Sequence, residues 1–254
     1  MEEAPRGDQE KEEAMKFYRN EQIEQIAEQR LLEFERKLAR PLSIPVNIEL
    51  FGELVLELSI LWDEIEELPG EEVLAGLRAP DRLIVMNERR KREMEQKPGR
   101  RRLTQGHEMG HWDLFVDKSK LDHPMLFEAA APGIVAYRSS RGGQVQIIET
   151  LLSCEEGIDL LRQMKSRADT ADEARSVNRY AAAILMPRAV IIDEAKKIDR
   201  THWPNLYRLA ERFDVTISAL RVRLEQFNLV YLDQETKRLY PSRENAQGQT
   251  RLLF

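Results

Sequence analysis

The 254-residue chain predicts an α+β fold: a small antiparallel sheet packed on one polar-faced helix, followed by a helical segment that ends in a hairpin. Three observations predict it. Short runs of alternating apolar and polar residues crowd into residues 56–86, as half-buried strands do. A helical stretch, His107-Glu108-Met109-Gly110-His111, places two imidazoles one turn apart. Beyond residue 200, two apolar stripes of helical period flank a tight break.

The elements follow in order. Ile23, Ile26, Leu31, Leu32, Phe34 and Leu38 recur at helical spacing, and Pro41 and Pro45 end that helix. Asn47 is placed to cap a short second helix through Phe51. Leu56, Leu58, Ile60 and Trp62 alternate with Glu57, Ser59, Leu61 and Asp63, a strand pattern. Pro69-Gly70 marks a turn before Val73, Ala75 and Leu77; Ala79-Pro80-Asp81 marks another before Leu83-Ile84-Val85-Met86. Three strands so close in sequence predict an antiparallel meander. The basic run over 88–102 reads as a solvated connection, with a nucleic-acid or acidic-partner patch as the alternative. The motif helix then extends from about Arg101 to Phe115. Within 116–170, Pro132-Gly133 and Gly142-Gly143 signal loops, and Val145, Ile147 and Ile148 fit a short strand or a helix start. A helix resumes near Ala171, with Val177, Tyr180, Ala181 and Ile184 on one face, and ends at Met186-Pro187. Leu206, Leu209, Ala210 and Phe213 form one further stripe. Thr216 caps another, made of Ile217, Leu220, Leu224 and Phe227. Residues 229–240 read as a β-hairpin, so this region has the outline of a winged helix-turn-helix.

Composition narrows the functional classes. An apolar fraction of 42% supports a packed core, and a net charge of −6 argues against nucleic acid as the main partner of the whole molecule. The single Cys154 excludes an intramolecular disulfide and fits a reducing compartment. No apolar run approaches the roughly 20 residues that span a bilayer, and the acidic start lacks the apolar core of a signal peptide. The expectation is a cytoplasmic protein without a membrane partner.

The chemistry centres on His107, Glu108 and His111. Residues four apart share a helix face, so both imidazoles can bind one ion while Glu108 reaches a water on it as general base; this is a metallopeptidase arrangement. Gly110 costs about 1 kcal/mol in a helix relative to Ala, which suggests that another segment passes close beside it.

Three blocks then resemble the ImmA/IrrE family of metallo-endopeptidases. Leu103-Thr104-Gln105-Gly106-His107-Glu108-Met109-Gly110-His111-Trp112 resembles its active-site helix. Val177-Asn178-Arg179-Tyr180-Ala181-Ala182-Ala183-Ile184-Leu185-Met186-Pro187 resembles its second signature. Leu209, Ala210, Phe213, Val215, Ala219, Leu220, Arg223 and Leu224 match the helix-turn-helix-like segment that follows. The resemblance covers about residues 45–232. It implies a gluzincin-like fold, a metal held by two His and one Glu, and a regulatory protease that cleaves helix-turn-helix repressors in stress or mobile-element switches. The corresponding domain division is a flexible acidic tail over 1–20, a metallopeptidase domain over 21–195, a helix-turn-helix-like segment with hairpin over 196–240, and a tail over 241–254.

In the family the third ligand stands four residues before the signature Asn, which here is Ala174. Glu173 lies one residue earlier and is favoured as ligand if a bulge corrects the roughly 100° of rotation between neighbours. Asp172, His123 or no protein ligand are the alternatives. The expected cofactor is Zn²⁺, with Mn²⁺ as the alternative, and the expected catalytic base is Glu108. His123 and Tyr180 are further candidates for contact with substrate or transition state, although Tyr180 also reads as core. His202 reads as a helix-start residue and Cys154 as a small buried hydrophobe. The expected partner is a protein substrate, a helix-turn-helix repressor. DNA binding is disfavoured, because the Thr216–Phe227 helix offers Arg221 and Arg223 but also Glu225. The alternative function is a weak or inactive family member acting as a protein- or DNA-binding regulator.

Overall fold

The computed structural model describes residues 17–67, 72–121, 136–139 and 169–250. The chain opens with α1 (Asn20–Leu38) and α2 (Ile48–Leu56), then β1 (Ser59–Asp63), β2 (Val73–Arg78) and β3 (Leu83–Asn87). Next come α3 (Lys91–Gln96), α4 (Pro98–Gly110), a π-type turn over His111–Phe115, the single-turn α5 (Lys118–Leu121) and β4 (Ala136–Ser139). The last part holds α6 (Ala171–Leu185), α7 (Arg188–Lys196), α8 (Trp203–Phe213), α9 (Ile217–Gln226), β5 (Tyr231–Leu232), β6 (Leu239–Tyr240) and α10 (Arg243–Thr250). The α+β class holds. Among the described residues no helix is long and apolar enough to cross a membrane.

Local chemistry sets most boundaries. The Asn47 side chain accepts from the Leu50 amide and starts α2, which runs past Phe51 to Leu56. Glu57 then turns left-handed (φ 55), so the strand begins only at Ser59 and takes neither Leu56 nor Leu58. Thr216 accepts from the Ala219 amide at the head of α9, and Asp214 breaks the chain with φ 50. His202 stands at the head of α8.

The sheet corrects the expected meander. Its order is β1-β3-β2-β4: β1 runs parallel to β3, and β2 is antiparallel to both β3 and β4. The β2–β3 link is a tight turn, with Arg82 at φ 50, so those two strands must form a hairpin. The 64–72 connection is longer than a tight hairpin loop and lets β1 reach the far side of β3. Residue patterning agrees. β1 alternates exposed and half-buried residues and sits at an edge, whereas β2 and β3 are buried almost throughout and lie inside. Along β3, Ile84 and Met86 join the main core, while Leu83 and Val85 pack with Ile65 and Val73 on the opposite face.

Two polar side chains pin Ile65 and Glu67, just after β1, to the start of β2. Buried Asn87 donates to the Val73 carbonyl (2.9 Å) and accepts from the Ile65 amide. Glu67 accepts twice from Arg90 (2.9 and 2.7 Å) and once from the Val73 amide (2.9 Å). Much of the basic run over 88–102 is consumed in such pairs: Arg89 with Glu64, Lys91 with Glu88, Lys97 and Arg100 with Glu93. Arg102 is buried and donates to the Val46 and Asp214 carbonyls. Much of the run is therefore neutralised by neighbouring acids rather than left as an open cationic patch.

One hydrophobic cluster extends from Ile23 on α1 through α2, the sheet, α4 and α6 to Leu206, Phe213, Leu220 and Leu224 on α8 and α9. Helix α6 lies in its middle, packed on both α4 and α1.

The Glu67 clamp makes a pH-dependent contribution. Burial raises its carboxyl, but the bonds from Arg90 and the Val73 amide bring it below the usual carboxylate range. A depressed folded-state value means that the stabilisation is present above the unfolded value and is lost as pH falls through the folded one. Glu67→Ala is expected to lose about 1.5–3 kcal/mol in urea denaturation at pH 7. Its deficit against the unaltered protein should shrink in acid; a deficit that grows there would refute the assignment.

Candidate metal centre

The site is built on α4 and completed by α6. Helix α4 begins with Pro98 at its first turn, where a missing amide costs nothing. Its start is held by Arg102 and by Gly99: a Cβ at Gly99 would lie 2.7 Å from the Val215 carbonyl carbon in the α8–α9 turn. At its other end the histidines face inward, His107 exposed by 2% and His111 by 6%, and Glu108 is fully buried beside them. The π-type turn begins at His111 and is closed by the Val116 amide on the His111 carbonyl.

Helix α6 crosses α4 in the opposite direction at close range. A Cβ at Gly106 would stand 3.0 Å from the Ala181 Cβ, and one at Gly110 would stand 2.9 Å from the Val177 Cβ and 3.0 Å from its Cα. The expected use of Gly110, to admit a neighbouring segment, is what the packing shows. The approach brings Asn178 Oδ1 to 3.1 Å from His107 Nδ1. It also brings Asp169, just before the helix, between the two rings: Oδ2 lies 2.9 Å from His107 Nε2 and Oδ1 lies 3.1 Å from His111 Nε2. The two Nε2 atoms are 3.3 Å apart.

These donors suit a metal. One ligand atom from each of His107, His111 and Asp169 lies within 4.8 Å of the others. Ligands at zinc-like lengths of about 2.0–2.1 Å in a tetrahedron are separated by about 3.3 Å, close to the spacing found here. Two imidazoles and a carboxylate are also the donor set that divalent zinc or manganese accepts. Electrostatics point the same way. Burial pulls the His111 imidazole down, but its bond to Asp169 and the negative charges of Glu108, Asp169 and Glu173 raise it overall. Burial would raise Asp169, yet its bonds to His107 and His111 hold it far below the usual carboxylate range. The pocket thus favours positive charge between its acids.

The third acid differs from the expected one. Glu173 is occupied in a capping box: Oε2 accepts from the Thr170 amide (3.0 Å) and hydroxyl (2.8 Å), and the Glu173 amide donates back to Thr170 Oγ1. Asp169 takes the place beside the histidines that had been assigned to Glu173. No bulge corrects the register, because α6 is a regular helix from Ala171 and Ala174 donates its amide to the Thr170 carbonyl. Asp172, the other nearby acid, pairs with Arg175 at the surface. Tyr180 is fully buried and donates to Asp113 Oδ2 (3.0 Å), which Arg30 also holds with two bonds (2.9 and 2.7 Å). Its hydroxyl therefore serves a core network. Burial, then the Asp113 charge, raise its ionisation well above the ordinary value. His123 and Cys154 lie outside the described residues. The missed ligand candidate left a signal: Thr170-Ala171-Asp172-Glu173 is a capping-box pattern, which commits Glu173 and leaves Asp169 as the first acid upstream of the box.

Residues 151–225 match the family model described as Peptidase_M78, the IrrE N-terminal-like domain. This bears out the resemblance to the ImmA/IrrE family; the matched range takes in α6 to most of α9, and the motif helix α4 lies before it. Among solved structures, a Mycobacterium tuberculosis transcriptional regulator aligns with 86% of this chain at 13% identity and a TM-score of 0.39. The alignment covers 50% of that protein, so the chain spans about half its length. No curated protein matches the chain.

The helix contact tests the architecture. Gly110→Ala gains about 1 kcal/mol of helix propensity, but its methyl meets Val177 backbone that cannot move aside, an overpacking cost of about 1–3 kcal/mol. A net loss of stability and a shift of α6 away from His107 are expected. A variant more stable than the parent by the full propensity gain of about 1 kcal/mol in a denaturant titration would show that the two helices are not in contact there.

Proposed function

We propose that this chain, whose residues 151–225 match the IrrE N-terminal-like peptidase domain, is a metal-dependent endopeptidase that cleaves a regulatory protein. One observation carries the reading: His107, His111 and Asp169 converge beside a buried glutamate on the same helix. Those three residues would hold the ion, with zinc the first choice and manganese the second. A divalent ion bound there supplies Lewis-acid activation of water and of the scissile carbonyl.

The chain's own groups do the rest. Glu108, next to His107, accepts the proton of the attacking water and returns it to the leaving amine. Full burial places it in low dielectric, where its attraction for neighbouring positive charge is strong. Asp169 anchors the imidazoles from the α6 side, and the Gly106–Gly110 contact fixes its distance.

The family resemblance supports a helix-turn-helix repressor as the substrate. The α8–α9 pair gives little support to DNA as a partner. Arg223 is fully buried on Glu24, and Arg221 is paired with Glu225 at 2.7 Å, so α9 offers few free cations to phosphates.

Metal analysis and cleavage assays test the proposal together. The purified chain should carry one divalent ion. Glu108→Gln should keep it and lose cleavage of a repressor substrate by on the order of 10²–10⁴. Asp169→Asn should lose the ion, whereas Glu173→Gln should retain it. Cleavage by Glu108→Gln at the parent rate, or loss of metal in Glu173→Gln but not in Asp169→Asn, would overturn the assignment.

A further inference from the structure

His107 presents its two nitrogens to different neighbours, and only one of them faces the other candidate ligands. Its Nε2 faces His111 Nε2 at 3.3 Å and Asp169 Oδ2 at 2.9 Å. Its Nδ1 faces away, 3.1 Å from Asn178 Oδ1. An amide oxygen has lone pairs and no hydrogen, so the bond requires the proton on Nδ1. A neutral imidazole protonated at Nδ1 has its lone pair at Nε2; that nitrogen here meets the Asp169 carboxylate, which can only accept, so a bound ion would take the place of the Nε2 proton.

The position of Asn178 follows from the helix contact. Val177 sits against Gly110 and Ala181 against Gly106, four residues apart on each helix and in opposite order. That pairing fixes both the rotation and the register of α6 on α4. Asn178, next in the chain after Val177, is thereby carried to the side of α4 that holds His107. A residue one step away would lie about 100° round the helix and miss the ring.

We propose that Asn178 is a positioning residue, which holds His107 in the Nδ1-protonated tautomer and so dedicates Nε2 to a divalent ion. The inference rests on the metal-site reading above. It adds an outer partner of the kind whose removal typically weakens metal binding on the order of 10- to 100-fold. Asn178 is itself largely exposed, so its replacement leaves the core untouched.

The experiment measures zinc affinity by competition with a chromophoric chelator in the full chain and in Asn178→Leu and Asn178→Asp. Asn178→Leu, which removes the acceptor, should bind zinc on the order of 10- to 100-fold more weakly. Asn178→Asp keeps an acceptor oxygen and should bind at least as tightly as the parent. Long-range ¹H–¹⁵N spectra of the zinc-loaded parent should show His107 protonated at Nδ1. Equal affinities for the parent and Asn178→Leu would overturn the inference while leaving the metal site standing. So would an Asn178→Asp as weak as Asn178→Leu, or a His107 protonated at Nε2. A parent chain that binds no zinc would instead remove the metal-site reading, and this inference with it.

Discussion

Helices α4 and α6 touch through positions 106 and 110, where α4 carries no Cβ. Everything chemical about the centre depends on that distance. The histidines belong to α4, while Asp169 and Asn178 arrive from α6 and the residue pair before it. Hydrogen bonds of 2.9–3.1 Å tolerate only a few tenths of an ångström of error. A single added methyl, closer than 3 Å to Val177, exceeds that tolerance. The two glycines each weaken the helix locally by about 1 kcal/mol, and the packing of α6 into the space they leave offsets that loss.

The charges follow from the same geometry. Glu108, Asp169 and Glu173 all act on His111, and the first two are close enough to make a strongly negative pocket. Like charges gathered away from water are unfavourable unless a cation joins them. Protonated imidazole can supply part of that positive charge, and a divalent ion can supply more while leaving the rings neutral. Glu173 avoids the crowd by turning to Thr170, which satisfies two donors at the head of α6. The segment thus divides its acids: Glu173 closes the helix cap, Asp172 pairs with Arg175 and Asp169 reaches the histidines.

Much of this was legible from residue order, and the failures have physical reasons. The α6 and α8–α9 stripes and the Asn47 and Thr216 caps come from local period and capping chemistry, so they could be read locally. Gly110 was legible because glycine inside a helix is costly without a packing partner. Sheet order was not, because β1 pairs with β3 although β2 lies between them in sequence, and nothing local encodes that choice. The carboxylate that lies beside the histidines is Asp169 and not the expected Glu173, which had been placed by counting back from Asn178 along an assumed helix face. The capping box at Thr170 ends the helix there, and Asp169, one residue outside it, obeys no helical period. Tyr180 illustrates the converse. Its phenol looked fit for a substrate, but its place in an apolar stripe directed it to Asp113 and Arg30.

The α8–α9 pair is coupled physically to the centre, although it lies beyond the histidines in sequence. Gly99 rests on the backbone of Val215 and Thr216, and Arg102 donates to the Asp214 carbonyl, so the α8–α9 turn is a seat for the start of α4. From the other side, Arg223 of α9 reaches through the core to Glu24 of α1 with two bonds (2.6 and 2.9 Å) and donates to the Met186 carbonyl at the end of α6. Arg179 of α6 shares the same glutamate. A guanidinium with no exposure at all requires this full set of partners, because an unpaired buried charge is strongly destabilising. Displacing α9 would therefore disturb the carboxyl end of α6 and the amino end of α4 together. The two helices that meet at Gly106 and Gly110 are braced at their far ends by one shared element, which ties the geometry of the histidine pair to the seating of α9.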